Sequence, residues 1–193
     1  MDTRTQHTEA TRARLLDSVT EVLAEKGIEG LTMQAVAEHA DTAVRTVYNH
    51  FATKEALVVE AFERLAQDVM AIAGTLHGPG TPKERLLQFV DDIYDVFEAQ
   101  GPGAGAVLNV AGIEAFEARL KEVRAWRRGE LTTVLKQAQK DGSLTMALKP
   151  ALALAFLFTA YAMWHSLVID SSLTLAAAKD LANQTLNATI FGG

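Results

Sequence analysis

Between positions 45 and 54 the chain gathers Arg45, Thr46, Tyr48, Asn49, His50 and Lys54, a dense set of hydrogen-bonding side chains. At about 100° per residue on a helix, Val44, Val47 and Phe51 fall on one side and Arg45, Thr46, Asn49 and His50 on the other, with Tyr48 at the margin. Such a helix packs by its apolar side and offers donors and acceptors on its outer side. Arginine matches the O6 and N7 acceptors of guanine, and asparagine matches N6 and N7 of adenine. Each well-made pair is worth roughly 1–3 kcal/mol of base discrimination. Lys54 opens the next expected helix, where the helix N-terminus already favours an anion such as phosphate. Exposed polar residues are ordinary on any helix, so spacing alone leaves packing and DNA reading about equally supported.

A reading helix must be positioned by its neighbours. Residues 11–26 form an expected helix with Leu15, Leu16, Val19, Leu23 and Ala24 on one face, ended by Gly27. Thr32 is placed to cap a short helix over 33–39, with Met33, Val36, Ala37 and Ala40 inward. The turn "HADTA" joins it to a helix over 43–51, and two short helices joined so tightly make a helix-turn-helix. Thr53 is placed to cap a fourth helix with the stripe Leu57, Ala61, Phe62, Leu65, Val69 and Ile72. "LHGPGTP" and "QGPGAGA" are breaks. Further helices are expected over 83–99, 104–112, 113–140, 150–170 and 173–190. No segment alternates with period two, so the expected fold class is all-α. A three-helix helix-turn-helix domain over 1–54 precedes a helical domain over 55–193.

Nearly half the 193 residues are apolar, enough for a substantial core. The absence of cysteine excludes disulfides and cysteine-ligated metals and suits a reducing, cytoplasmic setting. The polar N-terminus shows no secretory signal. Residues 150–169 are about as long as a bilayer span, but five are alanine and the rest of the chain is amphipathic, so a buried helix is expected and no membrane partner. Net charge is −6, and the first 54 residues hold six Lys/Arg against eight Asp/Glu. DNA binding would have to rest on a few well-placed cations.

The stretch "GLTMQAVAEHADTAVRTVYNHFATKEAL" resembles the DNA-binding region of TetR-type (tetracycline-repressor-like) transcriptional regulators. Thr32, the Ala37/Ala40 pair, Tyr48, Phe51 and the run Lys54-Glu55-Ala56-Leu57 carry the likeness, which is closest over residues 12–62. The resemblance implies Thr32 at a phosphate, Val44, Arg45 and Thr46 nearest the bases, Tyr48 and His50 at phosphates or the groove wall, and Lys54 at a phosphate. Arg4, Arg12 and Arg14 could approach the DNA backbone. Asp41 stands where the family commonly has glycine, Thr42 where a buried valine is typical and Ala43 where a capping serine is typical. Thr42 is a candidate substitute cap. The resemblance further implies a double-stranded operator as partner, a small-molecule effector, a homodimer and, most often, repression. One helix-turn-helix buries too little for tight specific binding, and a two-fold dimer on a near-palindrome supplies the remainder.

In the larger part, residues 150–170 and 173–190 are candidates for a four-helix dimer interface, with Leu175, Leu181, Leu186 and Ile190 available for packing. Aromatic residues supply material for an effector site, among which Trp126, Tyr161, Trp164 and His165 are singled out for an apolar or aromatic ligand. No enzyme, metal or cofactor is expected. The five histidines lack ligand spacing, and "GPGAGA" lacks the lysine of a phosphate loop. The acidic run Asp91, Asp92, Asp95 and Glu98 reads as a solvated face, as do Arg119, Lys121, Arg124, Arg127 and Arg128. The competing reading is a small-molecule-binding or protein-interaction module whose helix-turn-helix does not read DNA.

Overall fold

The structure, a computed structural model, describes residues 3–192, with side chains from residue 5 onward. The helices are α1 (Thr3–Gly30), α2 (Met33–His39), α3 (Val44–His50), α4 (Lys54–Ala71), α5 (Pro82–Gln100), α6 (Ala104–Leu108), α7 (Glu114–Lys140), α8 (Leu148–Phe158), α9 (Tyr161–His165) and α10 (Leu175–Leu186). A tighter turn follows α4 over Ile72–His77, and wider turns continue α9 over Ser166–Asp170 and α10 over Asn187–Phe191. No strand occurs among the described residues. The fold is all-α. The chain packs as two compact units, residues 1–66 with 103–120 and residues 67–102 with 121–193.

In the first unit, Leu15, Leu16, Val19, Val22 and Leu23 of α1 are buried. Val22 takes the inward place expected of Ala24, which is exposed. The helix begins earlier than expected, at Thr3, and is broken at Gly27, where φ is 65° and ψ −174°, a conformation glycine adopts without steric cost. Thr32 Oγ1 accepts from the Ala35 amide at 3.0 Å and starts α2, whose Met33, Ala35, Val36 and Ala37 are buried. Thr53 Oγ1 accepts from the Ala56 amide at 3.1 Å at the start of α4. Leu57, Val58, Ala61, Phe62 and Leu65 then enter the core. Phe62 meets Phe116 edge to face, with centroids 5.3 Å apart and planes at 79°.

In the second unit, α5 starts with a capping box: Thr81 Oγ1 accepts from the Glu84 amide, Glu84 accepts from the Thr81 amide, and Pro82 stands in the first turn. Its inward face is Leu86, Phe89, Val90, Ile93, Tyr94 and Phe97. The acidic run on its other side is not merely solvated. Asp91 accepts from Asn183 Nδ2 at 2.9 Å, Asp95 pairs with Lys179 at 2.6 Å, and Asp92 accepts from Thr75 Oγ1 at 2.6 Å. These bonds tie α5 to α10 and to the turn after α4.

The single helix expected over 150–170 is instead two, α8 and the segment from Tyr161 to Asp170, bent by 58°. Buried Thr159 turns its hydroxyl back to the Ala155 carbonyl at 2.8 Å, a bond that bends helices, and Ala160 leaves the helical region at ψ 141°. Tyr161 then donates its hydroxyl to the Gly101 and Pro102 carbonyls at 3.0 and 2.9 Å, fixing the restart. Among the described residues no single helix is long and apolar enough to cross a membrane, though this bent pair reaches the length and composition together.

Edge-to-face aromatic pairs contribute about 0.5–1.5 kcal/mol beyond the area they bury. A double-mutant cycle of Phe62→Leu and Phe116→Leu, followed by urea unfolding, is therefore expected to show a coupling of about 1 kcal/mol.

Candidate functional site

The seven residues of α3 are too few to hold a helix by themselves. Val47, fully buried, and Phe51, 3% exposed, fasten it to the first unit. Arg12 secures the C-terminal end from α1. Its guanidinium pairs with Glu60, lies 4.7 Å from the Phe51 ring centroid, and donates to the His50 carbonyl at 3.5 Å. Arg12, considered for the DNA backbone, is therefore an internal brace. Arg14 is exposed, and the side chain of Arg4 lies outside the described residues.

The side of α3 opposite Val47 faces solvent. Arg45 and Asn49 are exposed, Tyr48 is 55% exposed, and Val44, Thr46 and His50 are half-buried. Val44, read both as inward and as near the bases, thus stands at the border. The helix starts after Ala43, whose side chain offers no cap; Thr42 does not replace it. Asp41 takes φ 46° in the preceding turn, the left-handed conformation for which glycine is the usual choice.

Lys54 is half-buried at the start of α4, and exposed Thr32 starts α2. The Thr32 oxygen serves as cap, which leaves its hydroxyl proton to donate outward. Charge is arranged sparingly. Arg12, Arg64 and Arg119 pair with Glu60, Asp17 and Glu63, and His39 lies between Glu21 and Glu25 at 3.3 and 3.1 Å. Among the described residues Arg45 and Lys54 enter no ion pair. The unit's cations thus include both internal braces and outward residues flanking or lying on α3, a division that a net charge does not reveal.

In the second unit, the structure brings together three of the four residues singled out for a ligand. Tyr161, Trp164 and His165 form a ring cluster with centroids 5.1, 5.9 and 6.3 Å apart, and Phe97 joins it at 5.4 Å from Tyr161 and 6.3 Å from Trp164. Trp126 is half-buried on α7 and makes no ring contact with the cluster. Trp164 is 1% exposed, and its indole Nε1 has no hydrogen-bond partner. Tyr94, three residues before Phe97 on α5, is fully buried, and its hydroxyl is also unpartnered. Burial alone pushes that phenol up from its ordinary range. Nothing in the sequence around Tyr94 signals that its hydroxyl lacks a partner.

A helix-turn-helix with a polar, exposed second helix, carried by an otherwise all-helical chain, sets the class of protein. Residues 15–61 match the family described as bacterial regulatory proteins, tetR family. The HTH-type transcriptional repressor KstR of Mycolicibacterium smegmatis (strain ATCC 700084 / mc(2)155) is 42% identical over 81 residues, which cover 39% of this chain and 37% of that protein. The match therefore spans little more than a third of that relative's length. The HTH-type transcriptional repressor DhaR of Mycobacterium sp. (strain GP1) is 26% identical over 171 residues, 82% of this chain and 80% of that one. The crystal structure of the TetR family transcriptional regulator PfmR from Thermus thermophilus superposes with a TM-score of 0.76 at 20% identity, covering 93% of this chain and 98% of that one. The sequence match to the tetR family of bacterial regulatory proteins lies in the helix-turn-helix, and the likeness of fold extends through the remainder.

A buried polar group without a partner costs about 1–3 kcal/mol. Tyr94→Phe, which removes the unpartnered hydroxyl and little else, is accordingly expected to raise stability by about 1 kcal/mol in thermal or urea unfolding.

Proposed function

We propose that the protein is a ligand-responsive, DNA-binding transcriptional regulator, a repressor released from a near-palindromic operator by a small apolar or aromatic effector. It acts in the cytoplasm as a homodimer, with residues 1–54 reading DNA and residues 55–193 dimerising and binding the effector. The observation that carries this reading is the outward side of α3, where Arg45, Tyr48 and Asn49 are exposed beside Lys54. Repression is supported by the relatives KstR and DhaR, both named as repressors.

In this reading α3 enters the major groove. Arg45 and Asn49 read base edges, with Val44 and Thr46 beside them, while Thr32, Tyr48, His50 and Lys54 hold phosphates and the groove wall. Two copies place their α3 helices about 34–36 Å apart, matching half-sites one turn apart. Dimerisation also doubles the phosphate contacts available to a chain of net charge −6. The support for a dimer lies in large apolar side chains left outward on the second unit: Leu157 at 49%, Leu181 at 45% and Ile169 at 40% exposure. A second copy covers them in a helical interface. The effector lies against Tyr161, Trp164 and His165, with Trp126 as a further wall residue, and it changes operator affinity by its difference in affinity between the two dimer geometries.

Selection of bound duplexes from a random library at low salt tests the reading. A two-fold-symmetric sequence is expected, and recovery of no preferred sequence would favour a helical interaction or small-molecule-binding module. On the recovered operator, Arg45→Ala should abolish discrimination at one base pair per half-site, a change of roughly 1–3 kcal/mol. Lys54→Ala should weaken all sequences alike and flatten the salt dependence. Leu181→Asp should shift the protein to monomer in analytical ultracentrifugation and lower operator affinity, with its helical circular dichroism retained.

A further inference from the structure

Three arginines on α7, Arg124, Arg127 and Arg128, stand close enough to act on one another's charge. Arg127 is half-buried, with its Nε fully enclosed and without a hydrogen-bond partner. Its Nη1 donates to the Thr159 carbonyl at 2.7 Å, at the break between α8 and α9. Its guanidinium lies 4.3 Å from the Phe156 ring centroid, and that of Arg128 lies 4.4 Å from the same centroid. Desolvation and the like charges of Arg124 and Arg128 push Arg127 down to about 10. No carboxylate among the described residues pairs with any of the three.

A partly buried guanidinium normally has an acceptor for each enclosed N–H, because leaving one without a partner is costly. The carbonyl of Thr159, at the C-terminal end of α8, offers a partial negative charge. That contact occupies one N–H of a five-donor group and leaves the enclosed Nε without an acceptor. The same bend leads within two residues to Tyr161 and then to Trp164, whose indole N–H is also enclosed without an acceptor. Two enclosed donors without acceptors thus lie near this bend, Trp164 Nε1 within the aromatic cluster and Arg127 Nε on a guanidinium that reaches Phe156 and Thr159.

We infer that the second unit takes an amphipathic organic anion, its carboxylate or phosphate held by Arg127 with Arg124 and Arg128 and its apolar part packed on Phe97, Tyr161 and Trp164. This rests on the proposal above that the second unit holds an effector, and it specifies that effector's chemistry. Arginine suits such a group because its planar fork presents paired N–H donors to two anion oxygens. The aromatic rings supply the contact that a free inorganic anion cannot use.

The test is made on the free full-length protein, so that it does not depend on DNA. Both tryptophans, Trp126 and Trp164, lie in this unit and report binding by fluorescence. The probes are octanoate, dodecanoate, palmitate, 4-phenylbutyrate and dodecyl phosphate, each beside its neutral alcohol, with inorganic phosphate as a further probe. At least one amphipathic anion is expected to bind about tenfold or more tightly than its alcohol, as a charged hydrogen bond allows. Arg127→Gln should remove that preference while leaving the alcohol's affinity unchanged. Inorganic phosphate should bind at least about tenfold more weakly than the amphipathic anion. Equal binding of acid and alcohol, binding of no anion, an equal loss for both in Arg127→Gln, or phosphate binding as tightly as the amphiphile would each overturn the inference. Arg124→Gln, on an exposed side chain, provides a second variant should Arg127→Gln fail to fold, with a smaller loss for the anion alone expected. Operator binding by the unliganded variants is measured in parallel: retained DNA binding with no anion preference defeats this inference alone, whereas absence of sequence-specific DNA binding in the wild type defeats the reading beneath it.

Discussion

The enclosure of two side chains, Val47 and Phe51, is the constraint on which the outward polar surface of α3 depends. A helix as short as α3 has little stability of its own, because its few backbone bonds do not offset the cost of nucleation. Burial of its inner side converts it from a fluctuating segment into a fixed surface. Arg12 strengthens that attachment by stacking on Phe51, pairing with Glu60 and reaching the His50 carbonyl. The partly exposed ion pair itself adds little, since solvent screens it; the value of Arg12 lies in its position across α1, α3 and α4. The outer side of α3 is then free to be polar, because packing has already been satisfied on the other side.

Much of this arrangement is legible in the chain. Thr32 and Thr53 announce helix starts because a hydroxyl at that position meets an amide that would otherwise lack a partner. The spacing of Val47 and Phe51 identifies the inner side of α3, and the positive φ of Asp41 accords with a turn where glycine is usual. Other features are not local. Arg12 and Glu60 lie 48 positions apart, so nothing in the sequence near Arg12 distinguishes a brace from a phosphate contact. The acidic run on α5 looks like a solvated face until Asn183 and Lys179 arrive from α10. The bend after Thr159 is hidden in a continuous apolar run, because a threonine inside a helix does not show beforehand that its hydroxyl will turn back onto the preceding turn.

The second unit follows another logic. Its core encloses polar atoms that the chain does not satisfy, the Tyr94 hydroxyl, the Trp164 indole N–H and the Arg127 Nε. In an interior where most buried polar groups are paired, such groups are exceptions. Composition cannot reveal them, since an aromatic residue in a core helix looks the same with its polar tip bonded or not. The two units thus divide the chemistry between them. The first presents satisfied residues around an exposed polar surface, and the second keeps unsatisfied donors beside apolar rings.

The claim most open to direct measurement is that the outer side of α3 is accessible in the free protein and covered by DNA. Hydroxyl-radical labelling of side chains, read by mass spectrometry with and without the selected duplex, tests it through Tyr48, which is 55% exposed, against Tyr161, which is buried. The account predicts strong labelling of Tyr48 in the free protein, its protection by the duplex, and weak labelling of Tyr161 in both. A Tyr48 that resists labelling without DNA, or that remains fully labelled in the complex, would contradict it.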